Sequence, residues 1–136
     1  MSAPVFIDSG AWIALLHRAD SLHESTVELY RKLIDNRRIF LTTSLILVEV
    51  ANAFSMPGRW HLAIELENRL QASAICDVTW IDQQLYERSW NLYRERVDKD
   101  WSLVDCSSFV LMKERHITEA LTADRHFEQA GFTKLI

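Results

Sequence analysis

Residues 5–10 read Val5-Phe6-Ile7-Asp8-Ser9-Gly10, and a helix-compatible run, Ala11 through His17, follows at once. Three β-branched or aromatic residues in a row suit a short strand. An aspartate and a serine then separate it from a helical stretch over 10–17, leaving no room for a hairpin turn. A strand that feeds a helix meets its next strand through a crossover, and crossover-linked strands pair in parallel. This opening stretch sets the expectation of an α/β fold.

The remaining chain repeats the same alternation. Short β-rich runs stand at 39–41, 75–78, 120–122 and 132–136, with helical patterns between them. Ser21-Leu22-His23-Glu24 has the form of a capping box opening a helix whose apolar face is Val27, Tyr30, Leu33 and Ile34. Residues 45–54 form a second such helix, stopped by Met56-Pro57-Gly58, and 60–70 a third. Asp82 caps another helix, Ser102-Leu103-Val104-Asp105 opens a further one, and Gly131 closes a short one. The expected architecture is a three-layer helix–sheet–helix sandwich with a mainly parallel central sheet. Such sheets place their ligands at the carboxyl ends of the strands.

Composition agrees. With 3 Gly and 2 Pro in 136 residues, the chain lacks the turn residues that an all-β sandwich needs. No repeat, low-complexity tract or linker divides it, so one domain over 1–136 is expected. Fifteen Lys and Arg against 19 Asp and Glu give a net charge of −4. A protein that grips nucleic acid by charge alone is normally basic. If this chain acts on a polyanion, a local basic patch or a bound cation must offset its own field. Arg37, Arg38, Arg94, Arg96, Lys99, Lys113, Arg115 and Arg125 are the candidates for such a patch, with solvated surface as the plainer reading. Cys76 and Cys106 have no Cys-x-x-Cys spacing and are too few for a disulfide framework. The N-terminus lacks the basic segment and long apolar run of a signal peptide, and no stretch reaches the ~20 apolar residues of a membrane span. A cytoplasmic protein with no membrane contact is expected.

The acids occupy telling positions. Asp8 follows the first strand, Asp124 follows the 120–122 strand in TADRHF, and Asp105 opens a helix after a loop holding Asp98 and Asp100. Glu49 sits within the most apolar helix, SLILVEVANAF. Singly, Asp8, Asp105 and Asp124 read first as helix caps. Glu49 alone reads equally as part of a polar stripe with Asn52 and Ser55, facing water. Together at one sheet edge they would repel by up to ~4 kcal/mol per close pair at an effective dielectric of 20. An oxygen-rich cluster of this kind suits a hard divalent cation, Mg²⁺ or Mn²⁺.

Other constellations carry less. His17, His23, His61, His116 and His126 form no His-Glu-x-x-His pattern and no zinc spacing, and read mostly as surface residues. Trp12, Trp60, Trp80, Trp90 and Trp101 read as core at helical spacing. Trp101, beside the acidic loop, is the one with a case for stacking on a base.

The series FIDSG, LVEVAN, SLVDC and TADRHF resembles the PIN-domain ribonucleases, in particular the VapC-type toxins of prokaryotic toxin–antitoxin pairs. The likeness runs from Val5 to Ile136. It implies metal-dependent cleavage of RNA phosphodiester bonds with Mg²⁺ or Mn²⁺ as cofactor. Asp8, Glu49, Asp105 and Asp124 would then be the catalytic acids and metal ligands; Asp98 and Asp100 read either as a solvated loop or as supporting acids, with Asp100 as the candidate for a further metal ligand. Ser9 and Thr122 match small hydroxyl residues of the family pattern. Homodimerisation and an antitoxin protein as partner are implied in the same way. A haloacid-dehalogenase-like phosphohydrolase is the alternative, but that family needs a second Asp where Gly10 stands. A non-catalytic binding protein on the PIN fold is the other alternative.

Overall fold

Apolar strands of three or four residues are too short to stand alone, and here the three central ones are buried by pairing and by helices above and below. The computed structural model describes residues 2–136. Among the described residues, five strands alternate with seven helices: β1 (Val5–Ile7), α1 (Ser9–Leu16), α2 (His23–Asp35), β2 (Phe40–Thr43), α3 (Ser44–Ala53) and α4 (Trp60–Ala72) come first. After them come β3 (Cys76–Thr79), α5 (Gln83–Glu95), α6 (Leu103–Glu114), β4 (Glu119–Leu121), α7 (Arg125–Gln129) and β5 (Thr133–Lys134). The sheet order is β3-β2-β1-β4-β5, and every neighbouring pair is parallel.

That order fixes the layers. The chain moves from β1 to β2 to β3 in one direction, so right-handed crossovers place α1–α4 on one face. It then jumps back across β1 to β4 and on to β5, which places α5–α7 on the other. The packing follows: α1 meets α2 and α3, and α3 meets α4, while α6 meets α5 and α7. All three residues of β1, covered on both faces, are fully buried. Between β1 and β4 the strand order reverses, which is where open α/β sheets form a ligand crevice. The core joins Phe6, Ile46, Val50 and Phe54 to Phe109, Met112 and Phe127, with the Phe109 and Phe127 rings edge to face at 5.0 Å.

Several local expectations need correction. Ser21 and Glu24 do not form a capping box: the helix starts at His23, with Leu22 before it and no side-chain cap. Asp20 Oδ1 accepts the Leu22 N–H at 2.9 Å, an Asx turn that keeps the chain out of the helix for two more residues. Trp60 and Trp80 are exposed, at 58% and 78%, while Trp12 and Trp101 are buried. Among the described residues no element buries Trp60 or Trp80, so the apolar spacing around them finds no core to face. Trp101 is core: its ring meets Phe109 at 5.0 Å and its Nε1 donates to Gln129 at 3.1 Å. The caps at Asp82 and Ser102 form as expected, Asp82 accepting from the Leu85 N–H at 2.8 Å.

Candidate active site

Asp8 is the residue that β1 delivers to the carboxyl edge of the sheet, one step before α1. It stands at the N-cap position, yet its side chain makes no cap hydrogen bond. Its Oδ2 instead accepts from the Thr122 hydroxyl at 3.1 Å, a buried contact across the β1–β4 boundary. β4 ends at Leu121, which releases Thr122 to do this. The same Thr122 oxygen accepts the Asp124 N–H at 3.0 Å. One hydroxyl thus ties the first of the four candidate acids to the backbone of the last.

Asp8 is 7% exposed. Burial, foremost, pushes its carboxyl up to about 7; the charges of Asp105 and Glu49 add to the rise, and the Ser9 N–H and Thr122 hydroxyl restrain it. Glu49 lies on α3, half-buried, and its Oε1 accepts from the Ser9 hydroxyl at 2.6 Å. Asn52 and Ser55 do face water, but Glu49 is turned away from them toward the start of α1.

The two later acids cap helices and face the site at once. Asp105 closes a reciprocal capping box with Ser102, through bonds of 3.1 and 3.0 Å. Asp124 accepts the His126 N–H at 2.9 Å as the cap of α7. That cap swings the His126 ring inward, so its Nδ1 lies 3.0 Å from Asp105 Oδ2 and 3.3 Å from Asp124 Oδ1. One ligand atom from each of Asp105, Asp124 and His126 falls within 4.8 Å of the others, close enough to share an ion. Asp8 and Glu49 are not members of that triplet. A cavity of about 360 Å³ adjoins it, with Asp8, Ser9, Thr122 and Asp124 among its lining.

His126 corrects the reading of the histidines as surface residues. The local signal was present: it lies two positions after Asp124 in the turn that opens α7. Asp100 is exposed, and among the described residues it forms no hydrogen bond or ion pair with the other acids. Asp98, its neighbour, pairs with Arg96 and Lys99 at 3.4 and 3.9 Å. Arg38 is held by Glu119 at 2.7 Å, and Arg96 lies 4.9 Å over the Trp101 ring, so neither is a free basic residue. Burial pushes the Cys76 and Cys106 thiols up to about 12 and about 11, which leaves neither poised as a nucleophile.

The PIN domain family matches residues 5–133. The 23S rRNA-specific endonuclease VapC20 of Mycobacterium tuberculosis, from strains CDC 1551 / Oshkosh and ATCC 25618 / H37Rv, is 24% identical over 131 residues, 96% of this chain and 97% of the relative. The crystal structure of Mycobacterium tuberculosis VapC20, a sarcin-ricin loop cleaving toxin, aligns with a TM-score of 0.83 at 22% identity. That alignment covers 96% of this chain and 98% of the other, and it speaks for the fold. Since the family match takes in every strand from β1 to the start of β5, the chain belongs to the PIN domain family.

Proposed function

We propose that this PIN-domain protein is a metal-dependent ribonuclease that hydrolyses RNA phosphodiester bonds as the toxin of a toxin–antitoxin pair. The observation that carries the reading is that Asp105 and Asp124 lie within reach of one ion, while Asp8, tied through Thr122 to the backbone of Asp124, feels the charges of Asp105 and Glu49. Among the described residues no Lys or Arg is ion-paired with any of them. Carboxylates with no Lys or Arg partner repel one another, and a divalent cation relieves that repulsion.

The donor set is mainly carboxylate oxygen, which fits Mg²⁺ or Mn²⁺. When bound, such a cation acidifies water and offsets charge on the phosphate oxygens. Held by these acids, it would also offset the net charge of −4 toward a polyanion. The chain's own residues do the positioning. Asp8, Glu49, Asp105 and Asp124 supply the negative charge that holds the cation. Ser9 aims Glu49, and Thr122 aims Asp8 while fixing the backbone at Asp124. Helix α6 holds Asp105 in place through its capping box, so that acid needs little rearrangement to act.

RNA as substrate places the action in the cytoplasm. VapC20 is named for 23S rRNA, which makes that RNA the first to present. The purified protein is expected to cut it with Mg²⁺ or Mn²⁺ and to stop in chelator, and Asp8→Asn is expected to leave it whole. Cutting that continues in chelator would overturn the reading.

The same resemblance supports a homodimer and an antitoxin protein as partner. A trough of about 650 Å³ between α3, α4 and β3 supports a protein contact there: Val48 is 55%, Ile64 52% and Trp80 78% exposed along it. A contiguous apolar patch of this kind commonly marks a protein interface. Light scattering on wild type and Trp80→Glu tests the dimer, which the charge is expected to weaken.

A further inference from the structure

We propose that His126 makes this a mixed nitrogen–oxygen site that prefers Mn²⁺ to Mg²⁺, with Nδ1 as a direct ligand beside Asp105 and Asp124. The inference rests on the reading of the acids as cation-holding and adds a nitrogen donor to it.

The placement of the ring carries the argument. His126 is the second residue of α7, and its backbone N–H is bound by Asp124 Oδ1 at 2.9 Å, so the turn that positions the acid also positions the imidazole. Its side chain is only 19% exposed. Of its two ring nitrogens, Nδ1 faces the acids, at 3.0 Å from one carboxylate and 3.3 Å from the other. A cation shared by those two oxygens would lie against this nitrogen. Without a cation, Nδ1 is at donor distance from Asp105 Oδ2; to ligate one, the ring would carry its proton on Nε2, which frees the Nδ1 lone pair for that position. Asp105 is anchored independently by its capping box, so two of the three donors are fixed by local backbone structure.

The chemical consequence concerns the choice of metal. Mg²⁺ takes oxygen ligands and gives up its water reluctantly, whereas imidazole suits the transition metals. Replacing one oxygen donor by a ring nitrogen therefore moves the site away from Mg²⁺. Mn²⁺ accepts both carboxylate and imidazole, and it carries an unpaired-electron signal that reports its ligands directly.

The test uses untagged, full-length protein stripped of metal and loaded with less than one equivalent of Mn²⁺. Pulsed electron paramagnetic resonance is expected to show coupling from a nitrogen ligand, and growth on ¹⁵N-histidine should change that coupling accordingly. His126→Ala should abolish it while Mn²⁺ still binds, and His126→Gln, which keeps a polar side chain on α7, should do the same. Calorimetry should show the ratio of Mn²⁺ to Mg²⁺ affinity falling about tenfold in either variant. Mn²⁺ bound without histidine coupling in the wild type overturns the nitrogen ligand and leaves the cation reading standing. Coupling that persists in both variants assigns the nitrogen elsewhere and overturns the role of His126. No Mn²⁺ binding at all removes the cation reading and this inference together.

Discussion

The Thr122 hydroxyl donates to Asp8 Oδ2 at 3.1 Å, joining positions 114 residues apart, and accepts the Asp124 N–H at 3.0 Å with the same oxygen. The side chain is 1% exposed, so neither bond has water as a ready substitute. The relationship places a buried carboxylate and the start of α7 under the control of one small residue on the boundary between β1 and β4.

Thr122→Val keeps the shape of that residue and removes both bonds. Losing a donor to a buried carboxylate and an acceptor for a backbone N–H should cost about 1–3 kcal/mol of stability. Cleavage should slow as Asp8 loses its fixed orientation. Urea unfolding and a cleavage assay on the same preparation check the two effects. Wild-type values in both would show that the hydroxyl is dispensable.

The pH dependence of stability follows from Asp8. Its folded pKa of about 7 lies above the ordinary 3.8, so the folded state holds this proton more tightly than the unfolded chain does. The stabilisation from that proton is complete below about pH 4 and is lost as pH rises through about 7. In chelator, the wild type should therefore weaken between pH 4 and 7 by something on the order of 4 kcal/mol from this group. Asp8→Asn should lack that slope and be the more stable protein at pH 8. Unfolding curves of equal slope for the two proteins would refute the assignment.

Asp105 serves two ends, and a melt separates them. Asn keeps an oxygen able to accept the Ser102 N–H, so Asp105→Asn should change the cap by under about 1 kcal/mol. It removes a charge from the acidic set, so its melting temperature in chelator should lie at or above that of the wild type. Mn²⁺ binds the folded state and raises the wild-type melting temperature by mass action. The variant should gain much less. Equal gains in the two proteins would mean that Asp105 is a cap and no ligand.

Ser9→Ala cuts the tie at 2.6 Å that turns Glu49 toward α1. The contact is only partly buried, so stability should fall by about 1 kcal/mol or less. Cleavage should fall further than stability, about tenfold, with kcat affected more than KM. An unchanged kcat would show that Glu49 needs no positioning by Ser9.

Much of the molecule is decided within a few residues of chain, and the sequence determines that much. The passage from β1 through Asp8 into α1 follows from a β-rich triplet meeting a helical run. The Asp82 cap and the Ser102–Asp105 box follow from side chains reaching N–H groups three residues away. The strand-end positions of Asp8 and Asp124 follow in the same way. What the local pattern leaves open is the direction in which a half-polar helix face will point. Glu49 is equally compatible with the water-facing stripe of Asn52 and Ser55, and only the packing of α1 against α3 brings Ser9 within reach of it. Trp60 and Trp80 have core-like spacing, but burial requires an opposing element, and none among the described residues covers them. His126 looked like one of five scattered histidines until the α7 turn set its ring against an acid 21 positions earlier in the chain. Contacts of this kind join segments that have no local preference for one another. They form because burying β1 on both faces forces the ends of β1 and β4, and the starts of the helices beside them, to share one sheet edge.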